Sequence, residues 1–410
     1  PMNKQHVRAW ALFDFANSVY PAVITTAVFP VFYVTFVVGE EGGVGELWWG
    51  RAVSLSALVV AISSPLLGAI ADRGGVRKRF MLFYTAVCLV GVAMMSTLGE
   101  GMVVQGFVLF LLANIGFESA LVFYNAYLPD IAPPEKQGWV SGLGFGVGYL
   151  GSALGLLMVL PLVGDRIELV WPLVSIFFLV FALPAFLVLP KDQPTEMTVA
   201  QAARWGVTSF REIVREVWEF TELRNFLLAF FFYIDGVLTV IVMAGVVATE
   251  TFGFDQQSTI VLFLIVQLSA LVGAFALATP TDRYGPKRVL NGVLALWVFV
   301  GVAAYFIQNQ TLFYGMAILA GLGLGSVQAA SRTFLSLLVP GGRGSGQAAR
   351  IFGFYALCGK ASSVIGPMLF GYVTVWAGGN QRPAFLALTG LFLVGLVLLQ
   401  RVADPRLASD

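Results

Sequence analysis

Five ionisable residues of mixed sign stand inside long apolar stretches of this sequence. They are Asp14, Glu118, Asp235, Arg332 and Lys360. A charged side chain at the centre of a bilayer costs roughly 2.5–3.5 kcal/mol on insertion scales, so it needs a counter-charge, a polar partner or a water-filled cavity. Paired charges that only fix helix packing are one interpretation. Five such residues in one chain favour another, which is a pathway for a solute or an ion.

The apolar stretches must form the elements that position these residues, and the composition indicates a membrane. Of the 410 residues, 58% are hydrophobic and only 11% are charged, whereas soluble proteins carry about 25% charged residues. A run of about 20 apolar residues spans the ~30 Å hydrocarbon core as a helix. This rule predicts spans at 9–37, 47–71, 80–98, 103–128, 138–162, 168–189, 225–249, 257–280, 288–307, 311–335, 349–376 and 383–402. Because the runs are continuously apolar instead of alternating, we expect an all-α integral membrane protein and not a barrel.

The first span and the basic residues predict the orientation of the chain. The apolar run 9–38 is too long for the apolar region of a cleavable signal, so we expect it to be retained. With the N-terminus inside, the loops assigned to the outside contain only Arg51, Arg166 and Arg382 among the basic residues. Because Lys and Arg concentrate on the cytoplasmic side, we expect a multi-pass protein of the cell (inner) membrane with both termini in the cytoplasm.

A long polar interruption after the sixth span divides the sequence into two similar halves. We predict a six-helix bundle at 1–189, a linker with an amphipathic cytoplasmic helix at 190–224, and a second six-helix bundle at 225–410. Residues 71–78 after span 2 correspond to residues 281–288 after span 8. Two parallel repeats of six spans, related by a pseudo-two-fold axis, describe the major facilitator fold, whose substrate site lies between the halves near the midplane.

The repeated loop carries charges at predicted helix ends, in the pattern Gly-x-x-x-Asp-Arg-x-Gly-x-x-Lys/Arg. Its predicted gating residues are Gly68, Asp72, Arg73 and Arg77 in the first half and Asp282, Arg283 and Lys287 in the second, where alanine replaces the glycine. The loop resembles the signature of the major facilitator superfamily. Each aspartate opposes a helix dipole and therefore needs a positive partner, such as an arginine or the N-terminus of a helix from the other half. Such a contact can act as a latch; a solvated loop that only fixes topology is the alternative.

Five further segments resemble a narrower family. Segments 10–20, 123–130, 233–239, 328–332 and 352–360 are similar to the bacterial relatives of the autophagy-type vacuole effluxers. This resemblance extends over most of the chain. It implies a major facilitator protein, and for the eukaryotic relatives it implies export of amino acids from the vacuole.

Depth along the spans sorts the five charges into two groups. Glu118, Asp235 and Lys360 each lie ~15 Å from the inner end of their spans at a rise of 1.5 Å per residue, near the midplane. Asp14 and Arg332 lie nearer the cytoplasmic mouth. Spans 1, 4, 7 and 10 are expected to line the central cavity, and four of the five residues belong to them.

Two of the midplane charges have opposite signs and belong to the same half. We expect Asp235 and Lys360 to pair, either directly or through water, with a purely structural pair as the alternative. Glu118 has no evident partner on a neighbouring span. Because desolvation disfavours the ionised form of such a carboxyl group, Glu118 is the first residue expected to bind a coupling proton.

The two halves are expected to meet near the cytoplasmic mouth. Arg332 occupies the repeat position of Asn125, and with Asp14 and Asn17 these residues are predicted to form a gate. A static network within one half is the alternative. Further polar residues of the predicted pathway are Tyr20, Tyr124 and Gln328.

Together these features predict a secondary active transporter that moves a small polar solute by alternating access, coupled to protons. Lys360 and Arg332 can hold the carboxylate of an amino-acid-like zwitterion. Asp14, Glu118 or Asp235 can hold its ammonium group or a proton. An amphiphile or lipid transporter of the same fold is an alternative, which requires a lateral opening and an apolar half-cavity. A transport-inactive membrane sensor is another.

Other functional classes lack support in the sequence. It shows no nucleophile–base pair, metal-ligand cluster or phosphate-binding loop, so we expect neither enzymatic activity nor a cofactor. It also shows no basic tail or aromatic-basic patch for nucleic acid. The expected partners are the solute, protons and the lipid bilayer, and the chain is expected to be a monomer.

Overall fold

The described part of the chain is helical throughout. The computed structural model describes residues 2–39, 44–163, 165–193, 195–342, 344–363 and 365–404, and helices are the regular elements in these ranges. Within them, twelve helical stretches are long and apolar enough to cross a membrane. Each predicted span overlaps one of these stretches, so the predicted all-α fold with twelve spans is confirmed.

The helices follow the two halves of the sequence. Those of the first half and the linker are α1 Lys4–Asn17, α2 Phe29–Val31, α3 Val44–Gly74, α4 Arg77–Met94, α5 Val103–Asn125, α6 Leu128–Ile131, α7 Gln137–Val159, α8 Ile167–Val188, α9 Val199–Thr208 and α10 Phe210–Glu219. Those of the second half are α11 Thr221–Glu250, α12 Gln256–Ala276, α13 Ala278–Tyr284, α14 Pro286–Phe306, α15 Gln310–Leu337, α16 Ala348–Ser362, α17 Ile365–Trp376 and α18 Arg382–Gln400.

The chain packs as two compact units that do not follow the order of the sequence. The first unit comprises Pro1–Ile131, Val147–Phe210 and Gly346–Ala356, and the second comprises Ala132–Gly146, Arg211–Ser345 and Leu357–Asp410. Helices α7 and α16 therefore each contribute residues to both units. The predicted division into 1–189, 190–224 and 225–410 follows the sequence instead, and it stays a prediction.

Span 1 is not a continuous α-helix. After α1 it continues through two π-helical segments, Pro21–Ala27 and Phe32–Val38, with α2 between them. Pro21 and Pro30 lack the backbone N–H that the helical hydrogen bond requires. They therefore loosen the span, and π-helical turns are frequent at functional sites.

In the first unit, small residues bring the second part of α7 against α1. A side chain at Gly151 would collide with the backbone carbonyl of Phe15, so only glycine allows this approach. One residue further, the Ser152 hydroxyl donates to the carbonyl oxygen of Ser18 at 3.0 Å. This contact holds α1, which carries several of the predicted pathway residues.

In the second unit, glycines also allow α12 and α15 to pack closely. A side chain at Gly325 would collide with the carbonyl oxygen of Ala270, and one at Gly273 with that of Leu322. Close approach through small residues is a frequent mode of helix association in membranes. It fixes α15, the helix that carries Gln328 and Arg332.

The linker contains two helices. Helix α9 begins with a capping box between Thr198 and Gln201 and packs on α3 in the first unit, where the Arg73 guanidinium lies 4.5 Å from the centre of the Trp205 ring. Helix α10 is the predicted amphipathic helix: Ile213 is buried, whereas Trp218 is half exposed. Its position along the cytoplasmic surface stays a prediction.

Candidate functional site

In the first unit, the repeated motif caps a helix that is distant in sequence. The two carboxylate oxygens of Asp72 accept the backbone N–H groups of Ala349 and Arg350, at 3.2 and 2.8 Å. These residues form the first turn of α16, whose unpaired N–H groups and positive dipole end attract an anion. A side chain at Gly68 would collide with the carbonyl oxygen of Ala349, so the motif's glycine leaves room for the contact.

The second unit contains the same arrangement. The carboxylate oxygens of Asp282 accept the N–H groups of Gly138 and Trp139, both at 2.7 Å, in the first turn of α7. Here Ala278 stands where the first repeat has glycine, and Gly142 provides the space, because a Cβ there would lie 2.5 Å from that of Ala278. The expected contact with a helix N-terminus is therefore present at both copies of the motif.

The basic residues of the motif bind different groups. The guanidinium of Arg77 forms an ion pair with Asp130 and donates to the carbonyl oxygen of Ala126, at the end of span 4. Arg283 lies 5.3 Å from the ring centre of its neighbour Tyr284. Lys287 donates to backbone carbonyls at the end of α18, those of Gln400 and Val402.

A further acidic cap was missed by the sequence reasoning. The Asp192 carboxylate accepts the N–H groups of Lys78 and Arg79 at 2.7 and 3.1 Å, in the first turn of α4. Its signal in the sequence is an aspartate that follows the apolar run of span 6 directly. It shows that acidic caps at helix N-termini recur in the first unit.

A buried polar cluster lies inside the first unit. The Tyr20 hydroxyl donates to Asn114 Oδ1 at 3.4 Å, and the Asn114 amide donates to the Ser56 hydroxyl at 2.9 Å. The Tyr20 ring stacks on Phe117, with ring centres 4.4 Å apart. Glu118, half buried on the same helix as Asn114, interacts electrostatically with Tyr20.

This cluster both supports and corrects the sequence expectations. It joins two predicted pathway residues, Tyr20 and Glu118, so the expectation that Glu118 has no partner is wrong. Tyr20 carries no formal charge, so a search for opposite charges does not find it. The reasoning also missed Asn114 and Ser56; their signal is the spacing of one helical turn between Asn114 and Glu118 on α5.

The other predicted residues of the first unit surround α1. Asp14 and Asn17 are buried on it. The indole N–H of Trp10 donates to the carbonyl oxygen of Tyr124 at 3.0 Å, and the two rings are stacked. Asn125 is half buried at the end of α5. Tyr124 therefore packs against α1 at the end of span 4.

In the second unit, Arg332 is held by the beginning of α7. It is 2% exposed; its Nε donates to the Ser141 hydroxyl and its Nη2 to the Ser141 carbonyl oxygen, at 3.0 and 2.8 Å. The guanidinium also lies over the Phe145 ring, 3.9 Å from its centre. Gln328, one turn earlier on α15, is half buried. The predicted gate of Arg332 with Asn125, Asp14 and Asn17 stays a prediction.

Asp235 has surroundings that the sequence did not predict. It is 1% exposed in the middle of α11, and neither carboxylate oxygen has a hydrogen-bond partner among the described residues. Lys360 is half buried in the last turn of α16. The predicted direct pair between Asp235 and Lys360 is therefore not formed. The physical reason is that Asp235 lies beside Gly366 of span 11 instead.

The described residues also bear on metal binding. Among them, no group of three or more His, Cys, Asp or Glu side chains could hold a metal ion. The absence of a cofactor stays an expectation from the sequence.

Twelve apolar helices with a capped charged loop in each half define a membrane protein of the major facilitator type, and solved structures share this fold. The human organic anion transporter MFSD10 (TETRAN) matches with a TM-score of 0.79 and 17% identity, over 98% of this chain and 100% of that one. The Escherichia coli fucose:proton symporter FucP matches with a TM-score of 0.70 and 15% identity, over 97% and 98%.

The chain belongs to the family of vacuole effluxer Atg22-like proteins. The model of this family matches residues 51–138 and 134–409. The uncharacterized MFS-type transporter YxiO of Bacillus subtilis is 30% identical over 409 residues, which cover 97% of this chain and 94% of the relative. Autophagy-related protein 22 of Coccidioides immitis is 23% identical, over 94% and 77%. The resemblance seen in the sequence is thus confirmed, and the protein is a multi-pass transporter of this family.

Proposed function

We propose that this protein is a secondary active transporter that moves a small polar, amino-acid-like zwitterion by alternating access, coupled to protons. The observation that carries the proposal is the buried polar cluster of Tyr20, Asn114 and Ser56 beside Glu118. Polar and ionisable groups at this depth mark solute and ion pathways. The chain's family is described as vacuole effluxers, and this description supports a transport function.

Charges of both signs suit a zwitterion. In the first unit, Glu118 is half exposed and can hold an ammonium group. In the second unit, Lys360 is half buried in the last turn of α16 and is the first cationic candidate for the carboxylate. Arg332 already donates to Ser141, which makes it the weaker of the two cationic candidates.

The capped motifs supply the conformational part of the proposal. Asp72 and Asp282 each bind the N-terminus of a helix from the other half of the sequence. In alternating access these contacts form in one state and break in the other, so they act as latches. Gly68, Arg73, Arg77, Arg283 and Lys287 position the loops that carry them.

The proposed setting is the cell membrane, with both termini in the cytoplasm and the chain acting as a monomer. The distribution of Lys and Arg supports this orientation, because the predicted outer loops hold few of them. Twelve is an even number of spans, which supports the proposal that both termini lie on the same side of the membrane.

An amphiphile transporter is the second candidate, favoured by an apolar cavity in the second unit. The cavity is lined by residues of α11, α12, α14, α15 and α18, among them Val240, Phe263 and Met316. Its volume is about 40 Å³, whereas ligand pockets typically enclose about 300–1,000 Å³. The polar cluster therefore remains the stronger basis for a substrate.

A thermal-shift screen of the purified protein tests the substrate class. The ligands are amino acids, peptides, sugars, nucleosides and lipids, each supplied far above its expected dissociation constant. A bound ligand at a hundred times its Kd stabilises the protein by about 2.7 kcal/mol. We expect a shift with amino acids that is lost in Lys360→Ala. A shift with lipids alone would replace the first candidate by the second.

A further inference from the structure

We propose that Asp235 holds the coupling proton, at a buried position between Thr239 and Gly366 of α17. This assignment rests on the proposed proton-coupled transport and specifies the residue that carries the proton. The sequence expectation gave this role to Glu118. The contrasting surroundings of the two carboxyl groups favour Asp235.

The burial of Asp235 leaves its ionised form with little compensation, since only the backbone N–H of Gly366 and the Thr239 hydroxyl are polar neighbours among the described residues. The residue is 1% exposed, and its neighbours Tyr233, Ile234 and Val237 are buried with it. Neither oxygen accepts a hydrogen bond from any described residue. A charge buried in this way carries a penalty of about several kcal/mol. Protonation removes the charge and turns one oxygen into a donor.

Thr239 provides the partner that a protonated carboxyl group needs. It lies one turn after Asp235 on α11, is 1% exposed, and its hydroxyl also lacks a hydrogen-bond partner. Thr239 and the backbone N–H of Gly366 are the polar neighbours of the Asp235 carboxyl group. A proton on Asp235 can therefore be donated to the Thr239 hydroxyl, which satisfies both side chains.

Gly366 of α17 closes the surroundings of Asp235. A side chain at Gly366 would collide with the Thr239 hydroxyl and lie 2.7 Å from Asp235 Oδ1. The backbone of α17 at Gly366 thus contacts both side chains closely.

No charge on the surrounding helices replaces the proton. Helices α12 and α17 contain no Asp, Glu, Lys or Arg. The charged residues of α15, α16 and α18 that could face this region are Arg332, Lys360 and Arg382, and none of them forms a hydrogen bond with the Asp235 carboxylate.

Glu118 offers the matched comparison. It is half buried, and it adjoins the hydrogen-bonded cluster of Tyr20, Asn114 and Ser56. Access to solvent and polar neighbours stabilise an ionised carboxylate. Glu118 is therefore placed to contact the solute, while Asp235 exchanges a proton.

Infrared difference spectroscopy of the purified protein, titrated with pH in the absence of any solute, tests this assignment. A protonated carboxyl group shows a C=O stretch that an ionised one does not. We expect this band near neutral pH in the wild type and in Glu118→Gln, and its loss in Asp235→Asn. In Thr239→Val the band should persist at a shifted frequency, because the carboxyl group loses its hydrogen-bond partner.

Three results would overturn the assignment. The first is a band that is unchanged in Asp235→Asn. The second is a band that appears only when Na⁺ is replaced by choline, which would make the site a sodium site. The third is an unshifted band in Thr239→Val, which decides the matter if Asp235→Asn does not fold. Because the measurement uses no solute, absent transport with an intact band would refute only the proposed function.

Discussion

Glu118 and Asp235 are both carboxylic acids at mid-span, but the two units surround them in opposite ways. Glu118 is half buried and interacts with Tyr20 of a hydrogen-bonded cluster. Asp235 is almost fully buried, and its oxygens lack hydrogen-bond partners among the described residues. The difference teaches that residue type and depth do not assign a role in such a protein. The groups that surround each carboxyl group must be known as well.

The tightness of the pocket around Asp235 can be tested with two glycines of span 11. Gly366→Ala introduces a Cβ that collides with Thr239, whereas at Gly359 the nearest atom, in Phe230, lies 3.7 Å away. We expect Gly366→Ala to destabilise the protein by about 3 kcal/mol, near the upper end of overpacking effects. Gly359→Ala should not destabilise it. Thermal unfolding of both variants measures this, and equal midpoints would mean that the pocket is not closed by α17.

The next test compares the stability contributed by a buried polar group with hydrogen-bond partners and by one without them. Asn114→Leu removes the partner of Tyr20 and of Ser56, so it should destabilise the protein by about 2 kcal/mol. Thr85→Val removes a buried hydroxyl that has no hydrogen-bond partner among the described residues and should leave the unfolding midpoint nearly unchanged. A larger loss for Thr85→Val than for Asn114→Leu would reverse the comparison.

Asp72 and Asp282 share their contact with a helix N-terminus, but Asp72 also forms an ion pair with Arg77 at 3.6 Å. Asp72→Asn and Asp282→Asn each weaken the interaction of a carboxylate with a helix N-terminus, a contact of about 1 kcal/mol. We expect a decrease in the unfolding midpoint from each variant. The double variant should show the sum, because the sites lie in different units. A loss in only one single variant would show that the repeats are not equivalent.

Asp255 is an exposed carboxyl group that accepts hydrogen bonds, and it can be compared with the two at mid-span. Its replacement should change the stability least among these variants. Hydrogen bonds from the side chain and the backbone N–H of Ser258 lower the pKa of Asp255 below its usual range. The cap is therefore fully formed above the unfolded-state pKa of about 3.9, and its stabilisation is lost as the pH falls through the lower folded-state pKa. Asn309 caps α15 through Leu312 without a titratable group. In acid unfolding, the difference in stability between Asp255→Ala and the wild type should decrease as the pH falls. The effect of Asn309→Ala on stability should not depend on pH.

The fold could be predicted from the sequence because its determinants are local. Runs of apolar residues are long enough to cross the bilayer, and they overlap the observed spans. The contacts of Asp72 and Asp282 were also predictable, because a carboxylate at a helix end needs a positive partner whatever the rest of the fold. In both copies of the motif this partner is the N-terminus of a distant helix.

The site was less predictable because it depends on which helix faces which. Counting residues along span 11 placed Lys360 at the depth of Asp235, but Gly366 is the residue of that span that lies beside Asp235. Asn114 and Ser56 carry no charge, so nothing in an apolar run distinguishes them before their hydrogen bond is known. Asp192 caps α4 from beyond span 6, a contact that only the packed first unit reveals.

The most direct test of the account measures protons in liposomes that contain the protein and a trapped pH-sensitive dye. A mixture of amino acids is added outside, and radiolabelled exchange is followed in parallel. The account predicts a change in internal pH with the wild type, none with Asp235→Asn, and exchange that persists in Asp235→Asn. A wild type that moves amino acids without any pH change, or an Asp235→Asn variant that still moves protons, would contradict it.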